Sequence, residues 1–350
     1  MVVLKATKSA EKIIESKAMK NFCAQWVNLA EQRLGARVLF ASDDFFASKD
    51  NIIKAGRGLF IAGKYTSRGK WMDGWESRRK RGPGHDFLVL RLAARGVIKG
   101  VDIDTNHFTG NHPVQAALEA CCLENGDPGE STQWHEILAK VDLSPGSQHL
   151  YALENSAQWT HIRLHIYPDG GVARLKIYGE VKKDWQKVGA HEVIDLIAVG
   201  NEGRALLCSD MYFSAMENLI APGRIKNMGD GWETKRRRGA GHDWCVLKLG
   251  HRGVLQQIIV DTTYFKGNYP DRCSIEGVLA ADQQNIGETL ETLNWQEILP
   301  PTKLSPHQQH IFESHLVDIG AVNLLRLNIF PDGGIARLRA FGKIMRAQHG

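Results

Sequence analysis

The sequence lacks the features that mark membrane and secreted proteins. No window approaches the roughly 18 consecutive apolar residues that a membrane-spanning helix requires. The N-terminus, from Met1 to Lys20, alternates charged residues with single apolar ones and so lacks the unbroken apolar core of a signal peptide. Cysteine is also scarce, with six residues and no Cys-x-x-Cys pair, and disulfide frameworks belong mainly to short secreted chains. We therefore expect a cytoplasmic protein with reduced thiols and no membrane partner.

Signatures of cofactor chemistry are missing as well. The chain has no Gly-x-Ser-x-Gly elbow and no dinucleotide-binding fingerprint. No Cys-x-x-Cys ligand spacing occurs, so no cofactor is firmly predicted. His, Asp and Glu residues are at hand, and a divalent metal such as manganese stays an open alternative. The net charge of +5 permits an anionic partner, but no nucleic-acid-reading module accompanies it. Nucleic acid is therefore not an expected partner.

What the sequence does contain is an internal repeat. The segment 73–92, DGWESRRKRGPGHDFLVLRL, and the segment 230–249, DGWETKRRRGAGHDWCVLKL, are identical at thirteen of twenty positions. Further matches follow on both sides, with loops that gain or lose residues while the strands do not. The matches divide the chain into an N-terminal extension at 1–34, expected to be partly helical, a first repeat at 35–180, a linker at 181–203 and a second repeat at 204–345.

Each repeat has the pattern of antiparallel β-structure. Apolar and polar residues alternate along 162–166 and again along 174–178, which predicts half-buried strands. The Pro-Asp-Gly-Gly segments at 168–171 and 331–334 predict hairpin turns. Long helices alternating with strands, as in a Rossmann fold or an α/β barrel, are not indicated. We predict an all-β fold made of two tandem jelly-roll β-sandwich domains.

The candidate catalytic residues lie in the repeated block, where a glutamate precedes a His-Asp pair that opens a strand. They are His85, Asp86 and Glu76 in the first copy and His242, Asp243 and Glu233 in the second. Histidine beside carboxylates is a plausible acid–base group near neutral pH. The alternative is structural, with Glu76 pairing an arginine and His85 binding backbone. Because adjacent strand residues point to opposite faces, at most one of His85 and Asp86 is expected to reach a given pocket.

The candidate substrate-binding residues are arginines of the same block and polar residues of a following loop. They are Arg79, Arg81, Asp104 and Asn111 in the first copy and Arg236, Arg238, Asp261 and Asn268 in the second. The arginines are Arg in both copies while their neighbours switch between Arg and Lys, and a guanidinium offers a planar fork for a carboxylate. A structural salt bridge explains the arginines nearly as well, and Asp and Asn in turns often bind only local backbone.

The doubled block resembles the allantoicase (allantoate amidinohydrolase) family. The resemblance rests on DGWE-[ST]-x-R-x-R-G-x-G-H-D occurring twice, with SDDFF before the first copy and FPDGG-x-ARL after the second, and it covers about 38–343. It implies two jelly rolls of the galactose-binding-like type. It also implies hydrolysis of allantoate to ureidoglycolate and urea in purine degradation, and assembly into homo-oligomers.

For the implied reaction we expect a general acid, His or Glu, to protonate the departing ureido nitrogen, after which an imine-like intermediate captures water. A metal-bound hydroxide is the competing mechanism. The alternative function is a non-catalytic galactose-binding-like module, since that fold often serves only to bind ligands. The sequence leaves open whether one repeat or both carry an active site.

Overall fold

A computed structural model describes residues 26–281, 287 and 290–346 of the chain. The chain divides into two compact units between Lys182 and Lys183. The helical prediction for the N-terminal extension falls largely on residues before 26, outside the described part. From Val27 onward the extension belongs to the first unit, and the predicted linker from Lys183 onward belongs to the second.

The first unit is built from strands. They are β1 (Val27–Asn28), β2 (Arg37–Ala41), β3 (Tyr65–Thr66), β4 (Gly69–Lys70), β5 (Trp75–Glu76), β6 (Asp86–Asp104), β7 (Gln115–Cys121), β8 (His135–Asp142), β9 (Gln148–Ala152), β10 (Gln158–Tyr167), β11 (Gly171–Val172) and β12 (Arg174–Val181). Short 3-10 helices span Gln32–Leu34 and Lys49–Ile53.

The described residues of the second unit repeat this order without counterparts of β3 and β4. Its strands are β13 (Ile194–Asp195), β14 (Arg204–Cys208), β15 (Trp232–Glu233), β16 (Asp243–Asp261), β17 (Arg272–Val278), β18 (Gln296–Lys303), β19 (Gln309–Phe312), β20 (Val322–Phe330), β21 (Gly334–Ile335) and β22 (Arg337–Ile344). Its 3-10 helices span Trp185–Lys187, Val199–Asn201, Met216–Ile220 and Met228–Asp230. None of the described helices is long and apolar enough to span a membrane.

One long strand organises each unit. The first part of β6, 86–91, pairs with β2 and β10, and its second part, 96–104, pairs with β12 and β9. The same strand therefore serves two sheet halves, ordered β2-β6-β10-β7-β8 and β1-β12-β6-β9. Between them lies Gly96, where a Cβ atom would come within 2.5 Å of a carbonyl oxygen of β12. Gly253 has the same role in β16, so glycine permits the close approach of the strands at both places.

The period-two pattern gives each strand a core face and an outer face. Leu88 and Leu90 of β6 are fully buried, as are Ile162 and Leu164 of β10. Burial of an aliphatic side chain of this size stabilises the fold by about 1.5–3 kcal/mol. The residues between them face away from the core, and the candidate site is built on this outer face.

The predicted all-β architecture of two tandem jelly-roll sandwiches is confirmed. The predicted hairpins at 168–171 and 331–334 are wrong, because β10 and β12 do not pair with each other but lie on either side of β6. The chain instead crosses between the sheet halves through β11, which pairs with β5. Pro and Gly residues specify a local turn, whereas the pairing partner is set by the rest of the sheet.

Candidate active site

A polar groove lies on the outer face of the β6-β10-β7 sheet in the first unit. The alternation of β10 places Arg163, His165 and Tyr167 on this face, between the buried Ile162, Leu164 and Ile166. The register of β10 with β7 sets Arg163 directly opposite Glu119. His85, which immediately precedes β6, comes next to the end of β10, and its ring lies 4.4 Å from that of Tyr167.

These side chains form a continuous hydrogen-bonded chain. Nε2 of His85 is 2.8 Å from Nδ1 of His165, and Nε2 of His165 is 2.7 Å from Oε2 of Glu119. An ionised carboxylate only accepts hydrogen bonds, so Nε2 of His165 donates to it and Nδ1 of His165 accepts from His85. This order leaves Nδ1 of His85 as a base, and no described residue donates a hydrogen bond to it.

The electrostatic surroundings of His85 and Glu119 support these protonation states. Burial raises the pKa of Glu119, but hydrogen bonds from His165 and Arg163 and the positive charge of Arg163 outweigh it, so the net pKa is lowered. Burial lowers the pKa of His85, and the positive charge of Lys140 lowers it further. Glu119 is therefore ionised and His85 largely neutral at neutral pH.

Two cations with different surroundings border the groove. Arg163 pairs with Glu119 at 2.5 Å and lies 4.5 Å from the ring centroid of Trp134. Lys140 on β8 lies 3.9 Å from the ring centroid of Tyr167, and within the described ranges no carboxylate reaches ion-pair distance of it. Lys140 is therefore the cation available to an anionic ligand beside His85.

Asp86 and Asp243 lie on the opposite, buried side of their strands, as strand geometry requires. Each is 1% exposed. Asp86 accepts from the Ser42 hydroxyl at 2.8 Å and pairs with Lys80 at 2.9 Å. Asp243 binds the equivalent Ser209 and Arg237. The structure thus separates each predicted His-Asp pair. Each aspartate instead holds the basic turn that precedes it, 78–81 in the first unit and 235–238 in the second.

Glu76 and Glu233 lie apart from the histidines, on the small sheets β5-β11 and β15-β21. Glu76 accepts from Asn111 at 2.5 Å, and Asn268 donates to Glu233. Burial raises the pKa of Glu76, against the opposing hydrogen bond from Asn111. The structure thus brings each candidate glutamate together with a candidate asparagine, but neither glutamate has a hydrogen bond or ring contact to His85 or His242 among the described residues.

Asp104 and Asp261 are buried at the ends of β6 and β16. Asp104 receives a two-point contact from Arg57, at 2.9 and 3.0 Å, and Asp261 accepts from Gln309 at 3.0 Å. Each also caps a backbone N–H two residues ahead, that of Asn106 or Thr263. Through these contacts, Asp104 and Asp261 stabilise the loops that follow β6 and β16.

Alternate residues of the basic turn differ in their ion pairing. Positions that switch between Arg and Lys form ion pairs: Arg78 with Asp43 at 2.5 Å and Lys80 with Asp86 in the first unit, and Lys235 with Asp210 and Arg237 with Asp243 in the second. Arg79, Arg81, Arg236 and Arg238 are exposed, and within the described ranges they have no ion pair. In the second unit the turn borders a cavity of about 310 Å³.

The second unit has a matching groove with different chemistry. Nε2 of His242 lies 3.2 Å from Oδ1 of Asn328, and Nδ2 of Asn328 lies 2.8 Å from Glu276. Arg326 pairs with Glu276 at 2.7 Å and lies 4.7 Å from the ring of Trp295. Asn328 thus occupies the place of His165. Repeat alignment also puts Phe330 where Tyr167 is and Pro301 where Lys140 is.

No group of three or more His, Cys, Asp or Glu side chains in the described part of the chain converges as a metal site. His161 and His165 have the i, i+4 spacing that places two ligands together on a helix. They lie on strand β10, where four residues span about 13 Å, so the spacing does not make a ligand pair here.

Sequence reasoning found His85 and His242 but missed their partners, Glu119, Arg163, His165 and Lys140 in the first unit and Glu276, Arg326 and Asn328 in the second. The signal was present in the repeat, because IRLHIY at 162–167 and LRLNIF at 325–330 align, and Glu119 aligns with Glu276. An arginine conserved between copies on an outward-facing strand position, with a glutamate opposite, marks a polar outer face.

Comparison with known proteins gives a consistent result. The family model described as "Allantoicase repeat" matches residues 27–182 and 194–345. A protein described as probable allantoicase from Pseudomonas syringae pv. syringae (strain B728a) is 49% identical over 92% of this chain and 97% of its own length. Another, from Pseudomonas aeruginosa (strain LESB58), is 50% identical over 91% of this chain and 96% of its own.

A solved structure supports the same relationship. The crystal structure of allantoicase from Saccharomyces cerevisiae superposes with a TM-score of 0.78 at 34% identity, covering 94% of this chain and 97% of that one. The similarity extends across both units.

Proposed function

The chain belongs to the allantoicase family and is a hydrolase that acts on allantoate, and we propose that the reaction takes place in the groove of the first unit. The observation that carries this proposal is the chain of hydrogen bonds from Glu119 through His165 to His85. It positions an imidazole for proton transfer and ends at a nitrogen that is free to exchange a proton. The alternative of a non-catalytic module is not favoured, since relatives matched along almost their full length are described as probable allantoicases.

The groove suits the chemistry of the substrate. Allantoate carries one carboxylate and two ureido groups on a single sp3 carbon. Lys140, the cation beside His85, is placed to hold the carboxylate. The exposed Arg79 and Arg81, in the turn that leads into His85, supply further positive charge for it. With the carboxylate held there, the reacting carbon and its ureido nitrogens come beside Nδ1 of His85.

Proton transfer through His85 balances both halves of the reaction. In the first half, Nδ1 of His85 takes the N–H proton of the retained ureido group and delivers it to the departing ureido nitrogen. The C–N bond breaks, urea leaves and a C=N bond forms. In the second half, His85 takes a proton from water as its oxygen adds to carbon, and returns that proton to the imine nitrogen, which gives ureidoglycolate. His85 is neutral before and after each half, which matches its lowered pKa.

Glu119 and His165 stabilise the positive charge that His85 carries while it holds the transferred proton. The imidazolium of His85 is hydrogen-bonded to His165, which in turn donates to an ionised carboxylate. Among the other candidates, Asp86 holds Lys80 and the basic turn, and Asn111 orients Glu76 in the adjoining loop. Glu76 is the second acid–base candidate, and a manganese-bound hydroxide is the competing mechanism.

We also propose that the enzyme works as a homo-oligomer in the cytoplasm. The five described cysteines are free thiols, which supports a reducing compartment. Phe45, Phe60, Tyr212 and Phe213 are exposed apolar side chains, and such surfaces favour self-association. Light scattering of the purified protein at several concentrations tests the oligomer, and a monomer at every concentration would contradict it.

Urea release tests the proposed function. Purified protein is incubated with allantoate, and urea and ureidoglycolate are measured together, with equal amounts expected. The His85→Ala variant is expected to lose about 10²–10⁴-fold in kcat, the usual contribution of acid–base assistance, with an unchanged melting temperature because His85 is only half-buried at a strand end. Full activity of a folded His85→Ala variant would place the chemistry elsewhere.

A further inference from the structure

The groove of the second unit reproduces the frame of the first. Arg326 and Glu276 stand on facing strands beneath Trp295, as Arg163 and Glu119 stand beneath Trp134. The cavity above them has a volume of about 370 Å³. Its lining includes Trp244, Ser274 and Glu297 in addition to the bonded groups.

The histidine of this groove is held in the same tautomer as His85. The amide of Asn328 gives Nδ2 protons to Glu276 and to Ser274, at 2.8 and 3.2 Å, so its Oδ1 atom faces His242 as an acceptor. Nε2 of His242 must therefore donate, and Nδ1 is left as an acceptor. An acceptor nitrogen, two carboxylates and a guanidinium edge are therefore available on one surface.

The two grooves differ in their capacity to move a proton. An amide does not take up a proton near neutral pH, so the chain from Glu276 to His242 fixes the ring without relaying charge. The cation that stands beside His85 is also missing, because Pro301 replaces Lys140. A ureido group matches what remains, since its N–H groups can donate to carboxylate and imidazole acceptors and its carbonyl oxygen can accept from Arg326.

We propose that the groove of the second unit is a binding site for ureido compounds that does not turn them over. The inference rests on the proposed function, because it takes the first groove as the catalytic one. Each chain then binds two ureido ligands and hydrolyses at one place. The bound species is allantoate itself or another molecule with a free ureido end.

A ligand that cannot react separates binding from turnover. Ureidoacetate has one ureido group on a methylene carbon and no second ureido group to expel. Isothermal titration of the full-length protein with ureidoacetate is expected to give two sites per chain. His242→Ala is expected to reduce this to one site and to leave kcat for allantoate unchanged, whereas His85→Ala removes the other site and the activity.

A second variant distinguishes loss of the binding site from misfolding. Asn328→Leu keeps the branched shape and the number of side-chain heavy atoms and breaks the bridge between His242 and Glu276, so it is expected to lose the same site with a native melting curve. One site in the parent protein, unaffected by His242→Ala, would overturn the proposal, as would no measurable binding of ureidoacetate. Loss of kcat in folded His242→Ala with full kcat in His85→Ala would overturn the proposed function as well, by placing catalysis in the second unit.

Discussion

Asp102 lies 3.9 Å from Lys176, on the neighbouring strand of the first unit, and both are largely buried. The second unit places its acid differently, with Asp195 on the edge strand β13 at 3.5 Å from Arg339, while the position of Asp102 is taken by Ile259. Each unit therefore places a buried carboxylate beside a cation of β12 or β22, but on a different neighbouring strand. Asp102 is the more poorly partnered, since its Oδ1 atom has no hydrogen bond in the described part of the chain.

Replacing Asp102 by asparagine is expected to stabilise the protein above pH 6. Burial raises the pKa of Asp102 to about 6, from 3.8. The ionised group therefore costs stability above the folded pKa, and the cost disappears as the pH falls through 6 towards 4. The gain for Asp102→Asn is up to about 3 kcal/mol at neutral pH, measured by urea unfolding. Asp104→Asn, which breaks the pair with Arg57, is the control and is expected to destabilise; equal effects of the two changes would contradict this account.

The pH dependence of kcat/KM should follow the titration of His85. Its pKa is lowered by burial and by the charge of Lys140, so it is neutral at neutral pH and becomes protonated below its ordinary value near 6.5. The rate is expected to fall only as the pH drops below 6.5. Lys140→Met removes this charge and is expected to move the acid limb to higher pH. An unmoved limb would mean that another group controls the rate.

His165→Asn converts the first groove to the arrangement of the second. The amide can still bridge His85 to Glu119, as Asn328 bridges His242 to Glu276, so the fold and the orientation of His85 should survive. The charge of the imidazolium is no longer relieved, and kcat is expected to fall about 10²-fold, the lower end of acid–base assistance. Steady-state kinetics with a melting curve test this. Unchanged kcat would show that His165 only positions His85.

Arg79→Lys and Arg236→Lys test the carboxylate clamp. Neither arginine has an ion pair among the described residues, so the melting temperature should stay near that of the parent. Loss of the two-point contact is expected to lower kcat/KM for Arg79→Lys by about 10- to 100-fold. Arg78→Lys is the matched control, since its partner Asp43 needs only a positive charge and the second unit has Lys235 there. A loss of stability with normal kinetics would assign the arginines a structural role.

Chelation tests the metal alternative. Because His85, held by His165 and Glu119, can transfer the protons without a metal, we expect activity to be at most partly sensitive to EDTA. Dialysis against EDTA followed by addition of manganese is the measurement. Complete loss that manganese reverses would favour a metal-bound hydroxide, with His85 or His242 and the nearby carboxylates as the first ligands to substitute.

The sequence was sufficient for the fold because the repeat and the strand alternation are local signals. It also predicted that His85 and Asp86 would separate, since neighbouring strand residues face opposite ways. It could not pair His165 with Glu119, because the two lie 46 positions apart and meet only through the register of β10 with β7. The turn prediction at 168–171 failed for the same reason, since the pairing of strands is a property of the whole sheet.

The long strands β6 and β16 carry a consequence for unfolding. Each belongs to both sheet halves of its unit, so neither half can lose its central strand without opening the other. The amide hydrogens of β10, beneath the groove, should therefore exchange with solvent at the same rate as those of β12 on the other half, through one shared opening event. A ligand that binds the groove and stabilises β10 will slow exchange in β12 as well, although it touches no residue there.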